Sequence, residues 1–396
     1  MWARFVLFVV SWCVGLCLVP LAGQVATVQP GDPLPGISPR EFEQFRVGLE
    51  EFVTAGTIEE GFGPTFNGTS CAACHSVPAI GGISAITELR VGYRLPDGTF
   101  RGLDSAGNTM IHLFSLPNHS CQEVIPDDVN VMARRMPIPL FGAGLIEAIP
   151  DETLRALEDP FDRNRDGSAG RASMVIDTAT GERRVGRFGW KAQIATLLTF
   201  SGDAYRNEMG ITNAVFPTEL TYGVSSDRLK ACKLTRDPEG QVDPRTGLTA
   251  IEKFTLVMRF LAPIPRGPID DTVRDGERVF AAIGCVACHV QALTTGPSVN
   301  PLFNRKIVPL YSDLLLHNIG TGDGIKQADS TASPDEMKTP ALWGLRLRRP
   351  FLHDGSAATI EDAINRHRGE AELAQRGFVR LDDRSRSAFL AFLRSL

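Results

Sequence analysis

Apolar residues recur at helical spacing in several separate stretches of the chain. Phe42, Phe45, Leu49 and Phe52 share one face of a segment that opens with Ser38 before Pro39, a combination that starts helices. The spacing predicts helices over 41–52, 145–157, 191–198, 251–261 and 275–283. Thr359 with Asp362 marks one more start, and Ile360, Ala363, Ile364 and His367 then lie on one face. From 90 to 140 the pattern breaks into short strand-like stretches and loops. Residues 24–40 are rich in Pro and Gly and read as a tether, and the Pro-rich stretch 263–268 reads as a domain boundary. The pattern predicts a mainly α protein with domains at 41–265 and 266–396, the first enlarged by loops and short strands.

Residues 1–23 form a unit of another kind. Arg4 precedes an almost wholly apolar run from Phe5 to Val19, and Pro20-Leu21-Ala22-Gly23 offers small residues for a signal peptidase. An export signal is expected there, with an uncleaved membrane anchor as the alternative, because the run approaches spanning length. The composition is otherwise globular: 396 residues, 43% hydrophobic and 22% charged, enough for two domains. A net charge of -5 with scattered positive residues argues against a nucleic-acid partner. There are eight cysteines. Cys13 and Cys17 lie in the leader and four more fall in two CxxCH motifs, which leaves Cys121 and Cys232. In an oxidising compartment these two are expected to pair, with two buried free thiols as the alternative.

The two motifs are Cys71-Ala72-Ala73-Cys74-His75 and Cys285-Val286-Ala287-Cys288-His289. Two thiols at this spacing reach the two vinyl groups of one porphyrin, and the following His swings under the iron as proximal ligand. Zinc needs four ligands, and the sequence after each motif is poor in them. Two covalently bound c-type haems are therefore expected, with His75 and His289 on the irons. The sixth ligand decides between an electron-transfer iron and an open, reactive one. The chain has seven histidines, so the search is short. For the second haem the candidates are His367, on its predicted apolar helix face, and Met337. For the first they are His112, His119 and Met209, or an open or water-ligated iron.

Beyond the motifs, the chain resembles the bacterial di-haem oxidoreductase family, a relative of bacterial di-haem cytochrome c peroxidase and of MauG. The matching stretches begin with Gly63-Pro64-Thr65-Phe66-Asn67, Pro139-Leu140-Phe141-Gly142 and Gly144-Leu145-Ile146-Glu147-Ala148-Ile149-Pro150. They continue with Gly186-Arg187-Phe188-Gly189-Trp190-Lys191-Ala192 and Glu208-Met209-Gly210-Ile211-Thr212-Asn213. The last are Leu314-Leu315-Leu316-His317, Thr339-Pro340-Ala341-Leu342-Trp343-Gly344-Leu345 and Phe351-Leu352-His353-Asp354-Gly355. The resemblance implies two cytochrome c-like haem domains. It implies that Trp190 stands between the haems and that Glu208 is a carboxylate over an open iron, able to move a proton between peroxide oxygens. A plain core Trp and a surface or cap carboxylate are the alternatives. His367 stands where the peroxidases carry Met and MauG carries Tyr, after His353-Asp354-Gly355, and a bis-His iron has a lower potential. His317 and His353 resemble positions near the second haem, where hydrogen bonds to propionates or backbone are expected.

Calcium is the weakest of the implied ligands. The relatives bind it partly through a Thr two residues before a Pro; here Pro350 is preceded by Arg348 at that position, which argues against an ion. Separately, Asp162-Arg163-Asn164-Arg165-Asp166-Gly167 resembles the first half of a calcium loop, but its twelfth position is Ser173, so a solvated turn is expected.

The expected function is an exported, periplasmic di-haem c-type cytochrome oxidoreductase of peroxidase-like type. Electrons from a small redox protein, a cytochrome or a cupredoxin, would enter at the C-terminal haem and be used at the N-terminal one on peroxide or another small substrate. A two-haem electron carrier and an oxidase of organic substrates are the alternatives. Covalent attachment has a direct test: a haem-stained denaturing gel should show the protein, and changing Cys71 and Cys285 together to Ala should abolish the stain.

Overall fold

The structure, a computed structural model, describes residues 27–117, 121–232 and 242–396. The expected leader over 1–23 and the candidate ligand His119 lie outside the described residues. The first helix, Pro39–Val53, starts with a capping box: the Ser38 hydroxyl accepts from Glu41 N, and the Glu41 carboxylate accepts from Ser38 N. It packs along Ala250–Phe260, which opens with a second box made by Thr249 and Glu252. Leu197–Met209 also packs against Ala250–Phe260. Phe45, Phe52, Leu197, Tyr205, Phe254, Val257 and Leu261 are buried together where these helices meet.

A second core lies between Asp271–Ala282, capped by Asp270, and Asp383–Leu393. Phe280, Phe378, Phe389 and Phe392 fill it. The two helices touch at Gly276, where a Cβ would stand 1.9 Å from the Ala388 carbonyl oxygen. Each core carries one CxxCH motif: Cys71 packs against the first and Cys285 against the second. The first core also takes in Leu293, Phe303, Val308, Leu310, Leu314 and Leu315. The chain after the second motif thus returns to the first core before building the C-terminal helices.

Strand Glu88–Arg94 is central to a small antiparallel sheet, with Val131–Arg135 on one side and Phe100–Arg101 and Met110–Ile111 on the other. Its period of two puts Leu89, Val91 and Tyr93 into a small core of their own and turns Glu88 and Arg90 to the opposite face. Arg135 stands opposite Glu88 in the register. Cys121 and Cys232 are disulfide-bonded, with Cα atoms 6.2 Å apart.

Three predicted helices differ from the observed ones. The 145–157 stretch forms two short helices, Ala143–Glu147 and Asp151–Arg155, parted at Pro150, whose ring cannot donate to a continuing helix. Residues 191–196 are mostly turn, and the helix runs Leu197–Met209 from its cap Thr196. Near the C-terminus Thr359 caps a helix, but it ends at Asn365, so His367 follows the helix rather than riding on it.

The contact at Gly276 leaves no room for a methyl group. Gly276→Ala should lower stability by about 1–3 kcal/mol in chemical denaturation of the haem-loaded protein; an unchanged midpoint would mean the helices do not cross this closely.

Candidate haem sites

Ser70 accepts a hydrogen bond from Ala73 N at 3.2 Å and so starts the one-turn helix Cys71–Cys74. His75 follows it, with Nδ1 2.8 Å from the Gly82 carbonyl oxygen. A carbonyl only accepts, so this contact puts the ring proton on Nδ1 and leaves the Nε2 lone pair free. Burial holds the imidazole down to about 4, hence neutral near pH 7. His289 repeats the arrangement with Tyr311 O at 2.9 Å, and burial holds it too at about 4. His367 repeats it a third time, Nδ1 lying 2.7 Å from Ala363 O, with burial again lowering its protonation.

Each motif opens onto a cavity. The first encloses about 1120 Å³, part of it open to solvent, and is lined by Cys71, Cys74 and His75. From Leu197–Met209 it receives Ser201, Ala204, Tyr205 and Glu208 at helical spacing, and from the sheet it receives Glu88, Arg90 and Arg135. Glu208 accepts from Asn67 Nδ2 at 2.9 Å. Desolvation, reinforced by the Glu88 carboxylate, raises Glu208 to about 7. Met209 also borders this cavity, although its methyl group packs beside Gly56, 2.9 Å from where a Cβ there would stand. His112 is absent from the lining. It is buried with Nδ1 3.0 Å from Glu123 and 3.2 Å from Thr65 Oγ1, so the structure does not bring it to this site as a ligand.

The second cavity encloses about 1410 Å³, also partly open, and is lined by Cys285, Cys288, His289 and His367. His367 is close enough to lower the protonation of His289 further. Met337 lines the same space, held opposite His317 in a two-stranded pair. His353 lines it as well. His317 does not bond to backbone as expected. Its Nε2 lies 2.8 Å from Asp313 and its Nδ1 2.8 Å from Glu370, and although burial opposes charge, these contacts hold its protonation well above the usual range. Cys288, Asp313 and His317 are the one close group of metal-type donors among the described residues, and these pairings already engage it.

Trp190 is buried and lines both cavities; among the described residues no other does. Its Nε1 donates to Met136 O at 2.8 Å, and Met136 lines the first cavity. Its ring meets His353 edge-on, with centroids 6.2 Å apart.

Buried basic groups with unused nitrogens test whether a haem fits these spaces. Arg90 Nε and Arg135 Nη2 in the first cavity, and Arg348 Nε in the second, are buried without a hydrogen-bond partner. Lys338 is buried in the second, reaching Thr339 O at 3.4 Å, and burial pushes it down to about 8; the same cause brings Arg348 down to about 10. Arg90 and Arg135 keep Glu88 and Asp323 as partners and leave one nitrogen each unused, whereas Arg348 and Lys338 have no ion-pair partner among the described residues, and a buried cation without an anion is costly. A haem brings two carboxylates, and guanidinium groups match them well. The cysteines, the free Nε2 atoms and these cations therefore fit one haem in each cavity.

Sequence reading did not single out Arg90, Arg135 or Lys338, and it met Arg348 only as a missing calcium ligand. The alternation across 88–94 was the available signal for Arg90. In the loop at 162–167, Asp162, Asn164 and Asp166 accept from Gly167 N, Asp166 N and Ser168 N, closing a turn on themselves.

The two candidates for the second iron separate by spectroscopy. His367→Gly should convert a low-spin haem signal to high-spin, whereas Met337→Leu should leave it low-spin; the reverse pattern would assign Met337.

Comparisons with known proteins agree with this chemistry. A family model described as "Di-haem oxidoreductase, putative peroxidase" matches residues 114–396. Cytochrome c551 peroxidase of Nitrosomonas europaea is 30% identical over 90 residues, 23% of this chain. That match spans only 25% of the relative's length. Among solved structures, the diheme peroxidase BthA of Burkholderia thailandensis aligns with TM-score 0.43 and 13% identity, over 94% of this chain and 89% of its own. Kuenenia stuttgartiensis hydrazine synthase aligns with TM-score 0.41 and 15% identity over 100% of both chains. The family match covers well over half of the sequence, and the chain belongs to the di-haem oxidoreductase family.

Proposed function

We propose that this chain is an exported, peroxidase-like oxidoreductase with two covalently held c-type haems. The observation that carries the reading is Trp190, the residue that borders both cavities. Bound at these sites, haem would supply a one-electron redox iron. Cys71, Cys74, Cys285 and Cys288 would hold the porphyrins, and His75, His289 and His367 would ligate iron. Electrons enter on the His289 side from a small redox protein, cross beside Trp190 and are used on the His75 side.

In the reaction, hydrogen peroxide takes up two electrons and two protons, its O–O bond breaks, and two waters form. Glu208 serves this step as a proton carrier. Its carboxylate takes the proton from one peroxide oxygen and returns it to the other, which then leaves as water. Asn67 holds the carboxylate in place, and burial tunes it to about 7, near working pH. Met209 in the same lining favours a second reading, a two-haem electron carrier with no open iron.

Export rests on the apolar leader and on the Cys121–Cys232 disulfide, a bond suited to an oxidising compartment such as the periplasm. Among the described residues no helix is long and apolar enough to cross a membrane.

Glu208 decides between the readings. Below about 7 its carboxyl is protonated and cannot accept, so peroxide turnover should rise as pH passes through about 7. Glu208→Gln should cut turnover by about a hundredfold and abolish that rise. Equal rates and an unchanged profile would remove Glu208 from the mechanism, and absence of peroxide turnover in the unaltered protein would favour the carrier.

A further inference from the structure

A single ammonium group closes the joint between the two cavities. Lys191 follows Trp190, and its side chain is 0% exposed. Its Nζ donates to Glu336 O at 2.8 Å, Pro334 O at 2.9 Å and Ser333 O at 3.2 Å, and lies 3.0 Å from Asp323 Oδ1. Carbonyl oxygens only accept, so each needs a proton from nitrogen. The charged amine supplies three, and Asp323 supplies the countercharge. Three carbonyls and a carboxylate form the kind of donor set that holds a hard cation. Here the chain fills it with its own charge.

The contacts around this cage lead to both cavities. Asp323 Oδ2 also takes Arg135 Nε at 2.7 Å, and Arg135 lines the first cavity. Ser330 Oγ donates to the Lys191 carbonyl at 2.6 Å. Lys338 N donates to the Trp190 carbonyl at 2.8 Å, and Met337 and Lys338 line the second cavity. The segment from 323 to 338 is therefore drawn over the loop that carries Trp190.

We propose that Lys191 is a positioning residue for electron passage: its ammonium clamps this segment onto the Trp190 loop, as a bound cation would, and so fixes Trp190 between the two haems. The inference rests on the peroxidase-like reading, in which one electron passes at a time, oxidising the His289 side and reducing the His75 side. A buried ion pair that serves stability alone would leave the rate of electron redistribution between the haems unchanged in the folded variant, and this separates the two roles.

The test uses the haem-loaded protein and Lys191→Ala, which leaves an oxygen-lined hole the size of propylammonium. Electron redistribution between the haems is followed after flash photolysis of carbon monoxide from the half-reduced protein, alongside amide hydrogen exchange across 323–338. The variant should redistribute electrons at least about tenfold more slowly than the unaltered protein, with faster exchange in that segment. Propylammonium should restore both, and propanol neither. An unaltered rate in the variant, or a slowed rate that propylammonium leaves slow, overturns the proposal. If Lys191→Ala fails to fold, Lys191→Met keeps the bulk and removes the charge; an unchanged electron-transfer rate in it overturns the proposal equally. Absence of redistribution in the unaltered protein would instead sink the functional reading, and the exchange data would still report whether Lys191 closes the segment.

Discussion

Both sites depend on one small interaction made three times, an imidazole Nδ1 donating to a backbone carbonyl. Gly82, Tyr311 and Ala363 provide those carbonyls for His75, His289 and His367. The bond selects the tautomer, fixes the ring plane and leaves Nε2 as the one available donor atom. Burial then keeps each ring neutral, the form that binds iron. The carbonyls come from unlike places: a turn after the first motif, a left-handed bend at Tyr311 after the second, and the last turn of a helix. Different local structures thus deliver the same ligand geometry.

Local features were readable in the sequence because their partners lie a few residues away. The Ser38–Glu41 and Thr249–Glu252 capping boxes, the Thr359 cap and both CxxCH motifs are of this kind. The failures were also local but hinged on a single residue, as at Pro150, or on where a helix stops, as at Asn365. His112 shows a third limit. A histidine with no partner at helical or strand spacing looks free to ligate, yet its partners are Thr65, 47 positions back on a strand, and Glu123, 11 positions on in a loop. The same holds for Arg135, whose carboxylate partner Asp323 lies 188 positions away. No periodicity encodes such a pairing.

Charge is distributed unequally between the sites. The first cavity sets carboxylates, Glu88 and Glu208, among guanidinium groups, and one of these acids is tuned to titrate near neutrality. The second is bordered by Lys338, Arg348 and a set of imidazoles, and by His317, whose charge is held by Asp313 and Glu370. Proton exchange suits the former, whereas the latter offers two facing nitrogen donors and no acid tuned in that way. The proposed division between a place for chemistry and a place for passing electrons rests on that asymmetry.

The cysteines carry a consequence for how the molecule matures. Cys121 and Cys232 are joined in a disulfide, while Cys71, Cys74, Cys285 and Cys288 are free thiols, the state that the proposed covalent attachment of haem requires. Under the proposed export, all of them meet the same oxidants. In the fold, burial pushes the Cys71 thiol strongly up and carries Cys74 and Cys285 up to about 12, so these sulfurs stay protonated. A protonated thiol is a poor nucleophile in disulfide exchange. On the proposed reading, the cavities therefore also act as protecting groups for Cys71, Cys74 and Cys285, chiefly by keeping water from their sulfurs.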